Sequence, residues 1–540
     1  MKRAAVTQFV EVRRHVAPRL KRFALALVSL LLACAPGPAA QAARKLPSPE
    51  KIVAEYLKAT GGKKRHAAVR DAVYEWAISS ERGESRARAL LKAPASVRTE
   101  LRQDDGVEVS VTANPRMAWR SGPDASVSTL TDAEAHAAKL QAALGAGRLV
   151  DFKKMKVLAR TVGVEEVGGE QAYVVEFSTR QGARQRFSFG ATSKLLLKTT
   201  DGEGKNVYLY TDYRPVEGIL VPHRSAHMVE GREESTLVLT GVRFNTGLDD
   251  SLFDPPSDAS LDIPALLRDL ARNQDEVDRR INDYTFTRKV TEREVNDRGE
   301  LKKEKVSVYE VYPVQGWGWV MKLVAEDGRP LPPERAAKEE RRAAEELAKA
   351  EREGPKRLRE REERRERERA KRAERRRKQG GGEEEEDDVD IATFLRVSEL
   401  FSPRREKFRG RDTVVFDFRP RAGFRPSNRA ESIASKLSGV VWVDPVDRQV
   451  VRLEARLVEG FKIAGGLMAS VKPGSAFAFE QTRLADGVWL PRFAQVNVSA
   501  RVLLFAGLTL NQTEEFGDYK RFDAKTDDGK IDAPGETEKP

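Results

Sequence analysis

Histidine and cysteine are the side chains whose spacing would most directly indicate a metal or catalytic site. Apart from His15 in the N-terminal segment, the chain has four histidines, and His223 and His227 are the two that lie close together. Residues four apart on a β-strand are separated by about 13 Å, which is too far to share one zinc ion unless the strand bends. We therefore predict two ordinary strand histidines and no metal site.

Sequence motifs for phosphate binding and nucleophilic catalysis are incomplete or missing. The run Gly61-Gly62-Lys63-Lys64 lacks the leading glycine and the following Ser or Thr of a phosphate loop. The chain has no Gly-x-Ser-x-Gly elbow, and its 84 Asp and Glu residues are too numerous to nominate one acid-base pair. We predict a protein that is not an enzyme and uses no cofactor.

The N-terminal segment predicts export. A basic stretch ending at Arg22 precedes the apolar run 23–33, and Ala40-Gln41-Ala42 offers small residues for cleavage. We predict a signal peptide over residues 1–42 and a periplasmic location. An alternative remains open, because residues 31–34 resemble a bacterial lipobox. Cys34, the single cysteine, would then be lipidated and would anchor the protein to the outer membrane.

The charge of the chain gives a weak argument for nucleic-acid binding. The formal net charge of +12 includes seven Lys and Arg but one Glu in residues 1–42. Residues 334–390 carry 20 basic and 20 acidic side chains, which cancel although the two signs are separated along the segment. The remainder is mildly basic, so we predict no nucleic-acid partner.

Two short sequence pieces occur twice, in the same order. Gly169–Phe177 corresponds to Gly410–Phe418, with apolar, acidic and aromatic residues at matching places. Further along, the Gly-to-Pro phrase at Gly218–Pro222 (GILVP) corresponds to Gly487–Pro491 (GVWLP). Two matched pieces in the same order predict a duplicated domain. Chance similarity between glycine-led hairpins is the alternative.

The elements that flank these pieces also repeat, as a helix followed by alternating strands. Ser48 and Pro49 are typical of a helix start, residues 132–144 predict a second helix, and Pro264 to about Asn282 predicts the helix that opens the second copy. We predict a first domain over 43–256, a second over 257–331 and 390–523, a charged insertion over 332–389 and a disordered tail over 524–540.

The insertion predicts a solvated helix, since its Glu, Arg and Lys residues recur three and four apart. Gly354-Pro355 predicts a break into two helices. Without an apolar heptad seam, coiled-coil pairing is not expected. The segment could instead be an arm that touches nucleic acid or anionic lipid through Arg357 to Lys378, or that binds a protein partner through residues 334–388.

Residues 210–222 (TDYRPVEGILVP after Tyr210), with the related phrase at 484–491, resemble the periplasmic lipoprotein-carrier (LolA/LolB-like) superfamily. The resemblance covers residues 47–256 and is weaker over 257–523. It implies an α+β fold of two curved antiparallel sheets, unclosed β-barrels with packing helices. It also implies a ligand, a lipid or lipoprotein acyl chain, and a possible membrane surface. The arginine that latches the lid in the carrier has no counterpart that can be placed here.

From this resemblance we expect aromatic and apolar strand residues to line one cavity in each sheet, with plain core packing as the alternative. The candidates are Trp76, Trp119, Tyr173, Phe177, Phe187 and Tyr208 in the first sheet and Val414, Phe416, Phe418, Trp442, Phe479 and Trp489 in the second. Residues 461–479 could form a mobile lid or a loop that touches the membrane. The predicted function is non-enzymatic lipid binding or carriage in the envelope. The alternative is a structural protein whose charged insertion binds a partner.

Overall fold

A computed structural model describes residues 46–103, 108–124, 126–267, 270, 280–295, 301–379, 394, 396–463, 469–502 and 508–521. The predicted signal peptide, Cys34, the tail and part of the predicted lid lie outside these residues. Within the described ranges the chain forms two large antiparallel sheets. No helix there is long and apolar enough to cross a membrane.

Sheet A is built from the first half of the chain and has thirteen strands in the order β6-β5-β4-β3-β2-β1-β13-β12-β11-β10-β9-β8-β7. Their bounds are β1 Asp71–Ser80, β2 Gly83–Lys92, β3 Ser96–Gln103, β4 Glu108–Ala113, β5 Ala118–Ser121, β6 Val127–Thr129, β7 Leu158–Val167, β8 Glu170–Ser178, β9 Arg184–Gly190, β10 Leu196–Thr200, β11 Asn206–Val216, β12 Ile219–Val229 and β13 Arg232–Phe244.

Sheet B is built from the second half, in the order β17-β16-β15-β14-β26-β25-β24-β21-β20-β19-β18, with β22 and β23 beside β25. Its strands are β14 Tyr284–Val295, β15 Leu301–Val314, β16 Gly318–Glu326, β17 Arg329–Pro330, β18 Ser398–Phe408, β19 Arg411–Pro420, β20 Leu437–Asp444, β21 Gln449–Leu457, β22 Phe461–Ile463, β23 Ala469–Val471, β24 Ala476–Arg483, β25 Trp489–Val502 and β26 Leu508–Arg521.

The two sheets share one strand order. In each, the first strand pairs with the last, and the neighbouring strands then run backwards through the sequence to an outer edge at β7 or β18. The strands of the repeated pieces, β8 and β19 and then β12 and β25, hold corresponding places. Gly218 and Gly487, which precede β12 and β25, both have φ near +80°. The prediction of two unclosed antiparallel sheets is confirmed, although sheet dominates over helix.

Five helices have described bounds: α1 Pro49–Ala59, α2 Lys63–Ala68, α3 Asp132–Ala146, α4 Pro333–Gln379 and α5 Arg429–Ala434. The start of α1 is as predicted, with Pro49 in its first turn and the Ser48 hydroxyl accepting a hydrogen bond from the Lys51 amide. Helix α3 is also as predicted, and no hydrogen bond from the side chain of the preceding residue, Thr131, caps its start. Residues 264–267 of the predicted helix at 264–282 are helical, and the helix begins one residue earlier, at Ile263.

The main apolar cluster of the first domain lies between helices α1 and α3 and strands β8 and β9. Phe177 and Phe187 meet edge to face at 5.2 Å between ring centres, under Leu57 and Leu140 of the two helices. Burying an aromatic side chain contributes about 2 to 3 kcal/mol, so this layer holds the helices on the sheet. In the second domain, Leu267 and its neighbours cover β19 and β20 in the same way.

Helix α4 corrects the expectation that Gly354-Pro355 divides the insertion into two helices, because the helix runs unbroken through Pro355. It is also not solvated along its whole length. Ala350 is fully buried, Gly354 lies against the backbone of the β15–β16 turn, and Arg357 stacks on Trp317 at 3.9 Å. Contacts on both sides of Pro355 therefore offset the roughly 3 kcal/mol that an interior proline costs.

The edges of the two sheets meet at a buried polar group, which we call the junction cluster: Thr129, Arg404, Glu406 and Asp417. Thr129 of β6 donates its amide to Glu406 of β18 at 2.8 Å and its hydroxyl to the same carboxylate at 2.6 Å. Arg404 binds Glu406 at 2.6 Å, Asp417 at 3.0 Å and the Thr129 hydroxyl at 2.8 Å. One buried guanidinium thus joins the two domains.

Candidate functional site

A cleft between the two sheets is the candidate site. Its volume is about 1680 Å³, above the roughly 300 to 1,000 Å³ that is common for small-molecule sites. One side is formed by α3, the start of α1 and residues 152–161, and the other by β20, β21 and β24. The sequence predicts one cavity in each sheet, whereas the structure places this volume between the sheets.

The first domain supplies an apolar floor to the cleft. Leu140, Ala143, Phe152 and Val157 line it and also belong to the main apolar cluster of the domain. Met155, which is flexible and adapts to irregular surfaces, lines it beside them. The floor is therefore continuous with the interior on which α1 and α3 pack.

The walls of the cleft carry a marked excess of positive charge. Eleven Lys and Arg residues line the cleft against four Asp and Glu residues. A concave surface lined by one sign of charge attracts ligands of the other sign. An anionic group is therefore favoured in the cleft, and the apolar floor beside it favours a hydrocarbon.

Arg452 of β21 is the most enclosed of these cations, with 1% of its side chain exposed. Its guanidinium binds Glu480, Glu454 and, across the cleft, Asp132 of α3, at 2.7 to 2.8 Å. Burial opposes the charge, but the Glu454 and Asp132 carboxylates outweigh it and raise the pKa of Arg452. Its donors are occupied by protein acceptors. Arg452 therefore holds the two domains together beside the cleft.

Lys139 and Arg456 are two other cations of the cleft, and the pKa of each is lowered. Burial lowers the pKa of Lys139 on α3 to about 8; nearby Glu454 opposes this, and the Arg456 charge adds to it. Burial and the neighbouring Arg116 also lower the pKa of Arg456. Arg456 donates to neutral acceptors, the Pro115 carbonyl at 2.6 Å and the Ser438 hydroxyl at 3.3 Å. Enclosed positive charges that lie close to other positive charges favour an anion.

His136 lies one turn before Lys139 on the same face of α3 and also lines the cleft. Burial lowers its pKa to about 4, and the charge of Lys139 contributes. The imidazole is therefore neutral at physiological pH and does not add to the positive charge of the walls.

Most of the predicted cavity residues lie in packed clusters. Phe177, Phe187, Val414, Phe416 and Phe418 belong to the two helix-covered clusters, and Trp442 and Trp489 belong to a third. Tyr173 and Trp76 pack against cluster edges, Trp119 is buried and Phe479 half-buried, and Tyr208 stacks on His227. Of the described candidates, Phe418 is the one that lines the cleft. A cavity-lining role for the others stays a prediction.

The charged residues of the cleft on β21 could not be recognised from the sequence pattern. Arg452, Glu454 and Arg456 alternate with apolar residues along β21, a pattern typical of a strand with one face in solvent. In the structure another domain covers that face, and Arg452 is buried. A usable signal was on α3, where Asp132, His136 and Lys139 share a stripe with Ala143 at helical spacing. The two predicted strand histidines lie on β12, and the described residues contain no group of ligands suited to a metal ion.

Comparison with known proteins finds similar folds among solved structures. No protein-family model matches the chain, and no match is found among curated proteins. A LolA superfamily protein from Nitrosomonas europaea is similar over 39% of this chain and 98% of its own, with 14% identity and a TM-score of 0.29. A domain assigned to outer membrane lipoprotein sorting, from Vibrio parahaemolyticus, is similar over 38% and 95%, with 16% identity and a TM-score of 0.27.

A longer match is MucB in its complex with MucA from Pseudomonas aeruginosa. It covers 86% of this chain and 94% of its own, with 10% identity and a TM-score of 0.18. The first two structures bear the names of the superfamily that the sequence resembles. With TM-scores this low, none of the three similarities carries information about what this chain binds.

Proposed function

We propose that this is a non-enzymatic protein of the bacterial cell envelope that binds an amphiphile with an acyl chain in the cleft between its two sheets. The main support for this proposal is the cleft itself, which has a volume of about 1680 Å³, an apolar floor and charged walls. The envelope location rests on the export signal predicted for residues 1–42. The sequence resemblance implies an acyl chain as the ligand. We place it in the cleft between the sheets instead of in a cavity of each sheet.

The shape and chemistry of the cleft support an amphiphile over a fully polar ligand. A polar ligand would leave Leu140, Phe152 and Val157 in contact with water or polar atoms, whereas a hydrocarbon covers them at a gain of about 25 cal/mol per Å². Arg452 and Glu454 on the opposite wall would not favour an entirely apolar ligand. A molecule with one apolar and one polar part satisfies both walls.

Filling the cleft tests this proposal. Ala476 lines the cleft from β24, and Ala476→Trp should remove most of the lipid that is retained when the full-length protein is exported and purified without detergent. Lipid is measured by native mass spectrometry and by extraction. Val446→Trp is the matched control, because Val446 is 83% exposed and lies outside the cleft. Wild-type protein free of lipid, or equal lipid in all three proteins, would overturn the proposal.

A second candidate function is partner binding through the charged helix, and the docking of α4 favours it. Residues up to Leu358 are held on β15 and β16, while Arg359, Glu363 and Arg367 are exposed. At 1.5 Å per residue, the 21 residues from 359 to 379 form an arm of about 30 Å.

Deleting residues 359–388 should abolish capture of a partner from an envelope extract while leaving the retained lipid unchanged. The variant keeps the part of α4 that packs on β15 and β16. Its stability should therefore be unchanged, and a loss of capture would report on the deleted residues. Capture that survives the deletion would count against the second candidate.

A further inference from the structure

Lys139 and Arg456 face the cleft from different domains, and neither forms an ion pair with a carboxylate of the described residues, whereas most other cations of the cleft do. Lys139 lies on α3 and Arg456 on β21. Among the described residues, no carboxylate lies within ion-pair distance of either side chain, and Arg456 bonds to a carbonyl and a hydroxyl. By contrast, the guanidinium of Arg452 is surrounded by three carboxylates.

Both side chains are partly enclosed, which makes this arrangement costly. A charge taken out of water loses hydration that neutral acceptors restore incompletely, and two like charges that share one enclosed space repel each other. Burial lowers the pKa of both groups. The charge of Arg456 adds to this effect at Lys139, where Glu454 opposes it, and the charge of Arg116 adds to it at Arg456. An anion between them would remove the repulsion and restore the lost hydrogen bonds.

We propose that Lys139 and Arg456 bind the anionic group, a phosphate or a carboxylate, of the amphiphile that occupies the cleft. This inference rests on the proposed function and names the headgroup chemistry. Guanidinium and ammonium groups make their strongest hydrogen bonds to these anions.

Successive residues of α3 provide contacts for both the anionic group and the hydrocarbon chain of such a ligand. Lys139 is followed by Leu140, which lines the cleft and belongs to the main apolar cluster, and Ala143 lies one helical turn further on. An anionic group at Lys139 therefore puts a hydrocarbon chain onto Leu140, Ala143 and Phe152. Since Arg456 belongs to the other domain, the ligand contacts both domains at its charged end.

Binding of matched amphiphiles to the full chain without its signal tests this inference. The probes are dodecyl phosphate, dodecanoate and dodecyl maltoside, all below their micelle concentrations, and inorganic phosphate; affinities are measured by titration calorimetry. Lys139→Met and Arg456→Met keep the size and apolar stem of each side chain. Each should weaken binding of the two anionic amphiphiles about tenfold or more and leave dodecyl maltoside unchanged. Lys205→Met is the control, because Lys205 lies outside the cleft, is 58% exposed and is paired with Glu203.

The outcomes separate this inference from the proposed function. If wild-type protein binds all three amphiphiles equally, or if the two variants weaken dodecyl maltoside as much as the anions, the headgroup assignment is overturned and lipid binding stands. If no amphiphile binds, both are overturned. If inorganic phosphate binds as tightly as dodecyl phosphate, the anion site stands and the hydrocarbon part of the proposed function is overturned. Unchanged circular dichroism and melting temperature show that the variants are folded.

Discussion

Replacing Arg404 by leucine should lower the free energy of unfolding by about 3 to 5 kcal/mol, as breaking a buried ion pair does. Arg404 is 3% exposed and binds Glu406 and Asp417, which are also buried. Removing the guanidinium leaves two enclosed carboxylates without a counter-charge and takes one bond from the Thr129 hydroxyl in the other domain. Urea unfolding followed by circular dichroism measures the loss.

Arg405 is the matched control for this prediction. It is the next residue of β18, its side chain is 67% exposed, and it pairs with Asp258 at 3.3 Å. Because exposed ion pairs contribute little, Arg405→Leu should change the free energy of unfolding by less than about 1 kcal/mol. Equal losses in the two variants would show that the junction cluster contributes no more than a surface pair.

The loss in free energy of unfolding caused by Arg404→Leu should also depend on pH. Burial raises the pKa of Asp417 even in the intact protein, where Arg404 opposes this effect. In the variant the folded state should therefore bind protons that the unfolded state releases. Stability relative to wild type should recover as the pH falls from 7 toward 4. A deficit that stays constant over this range would contradict the account based on unpaired carboxylates.

Gly61→Ala should lower the free energy of unfolding by about 3 kcal/mol, because this position is restricted by both backbone conformation and space. Gly61 has φ +126°, and a Cβ there would lie 2.3 Å from the carbonyl oxygen of Gly218. Strained backbone costs about 1 to 3 kcal/mol, and the close contact would also force the end of α1 away from the β11–β12 turn. The hydrogen bond from the Leu220 amide to the Thr60 carbonyl, 3.0 Å, would then lengthen.

The adjacent Gly62 separates these two effects. It also has a positive φ, +93°, but a Cβ there would have nothing within 4 Å. Gly62→Ala should therefore carry the backbone strain alone and cost about 1 kcal/mol. Thermal unfolding of the two variants under one set of conditions gives the difference. A Gly62 variant as unstable as the Gly61 variant would show that contact with Gly218 contributes nothing.

Local patterns along the chain predict much of the fold. Ser48 and Pro49 predict the start of α1, two-residue alternation predicts the strands of both sheets, and the two Gly-to-Pro phrases fall on strands with corresponding neighbours. Each of these features depends on residues within a few positions of one another. Hydrophobic period and turn chemistry are sufficient to predict such features.

The cleft could not be predicted in this way, because it is formed by residues that are more than 300 positions apart. Asp132 and Arg452 meet across it, and each belongs to a pattern that by itself predicts exposure to solvent. The unbroken α4 has a similar cause. Pro355 predicts a break, but the β15–β16 turn contacts the helix on both sides of that proline, at Gly354 before it and at Arg357 after it.

One connection in each domain joins the two outer edges of its sheet, and the two domains have put it to different uses. In the first domain it contains α3, which lies in the middle of the molecule and faces the cleft. In the second it contains α4, which docks on β15 and β16 and continues outward. The equivalent connection therefore forms a wall of the cleft in the first domain and docks on strands of its own sheet in the second. Because the cleft takes one wall from each domain, neither half of the chain alone would enclose it.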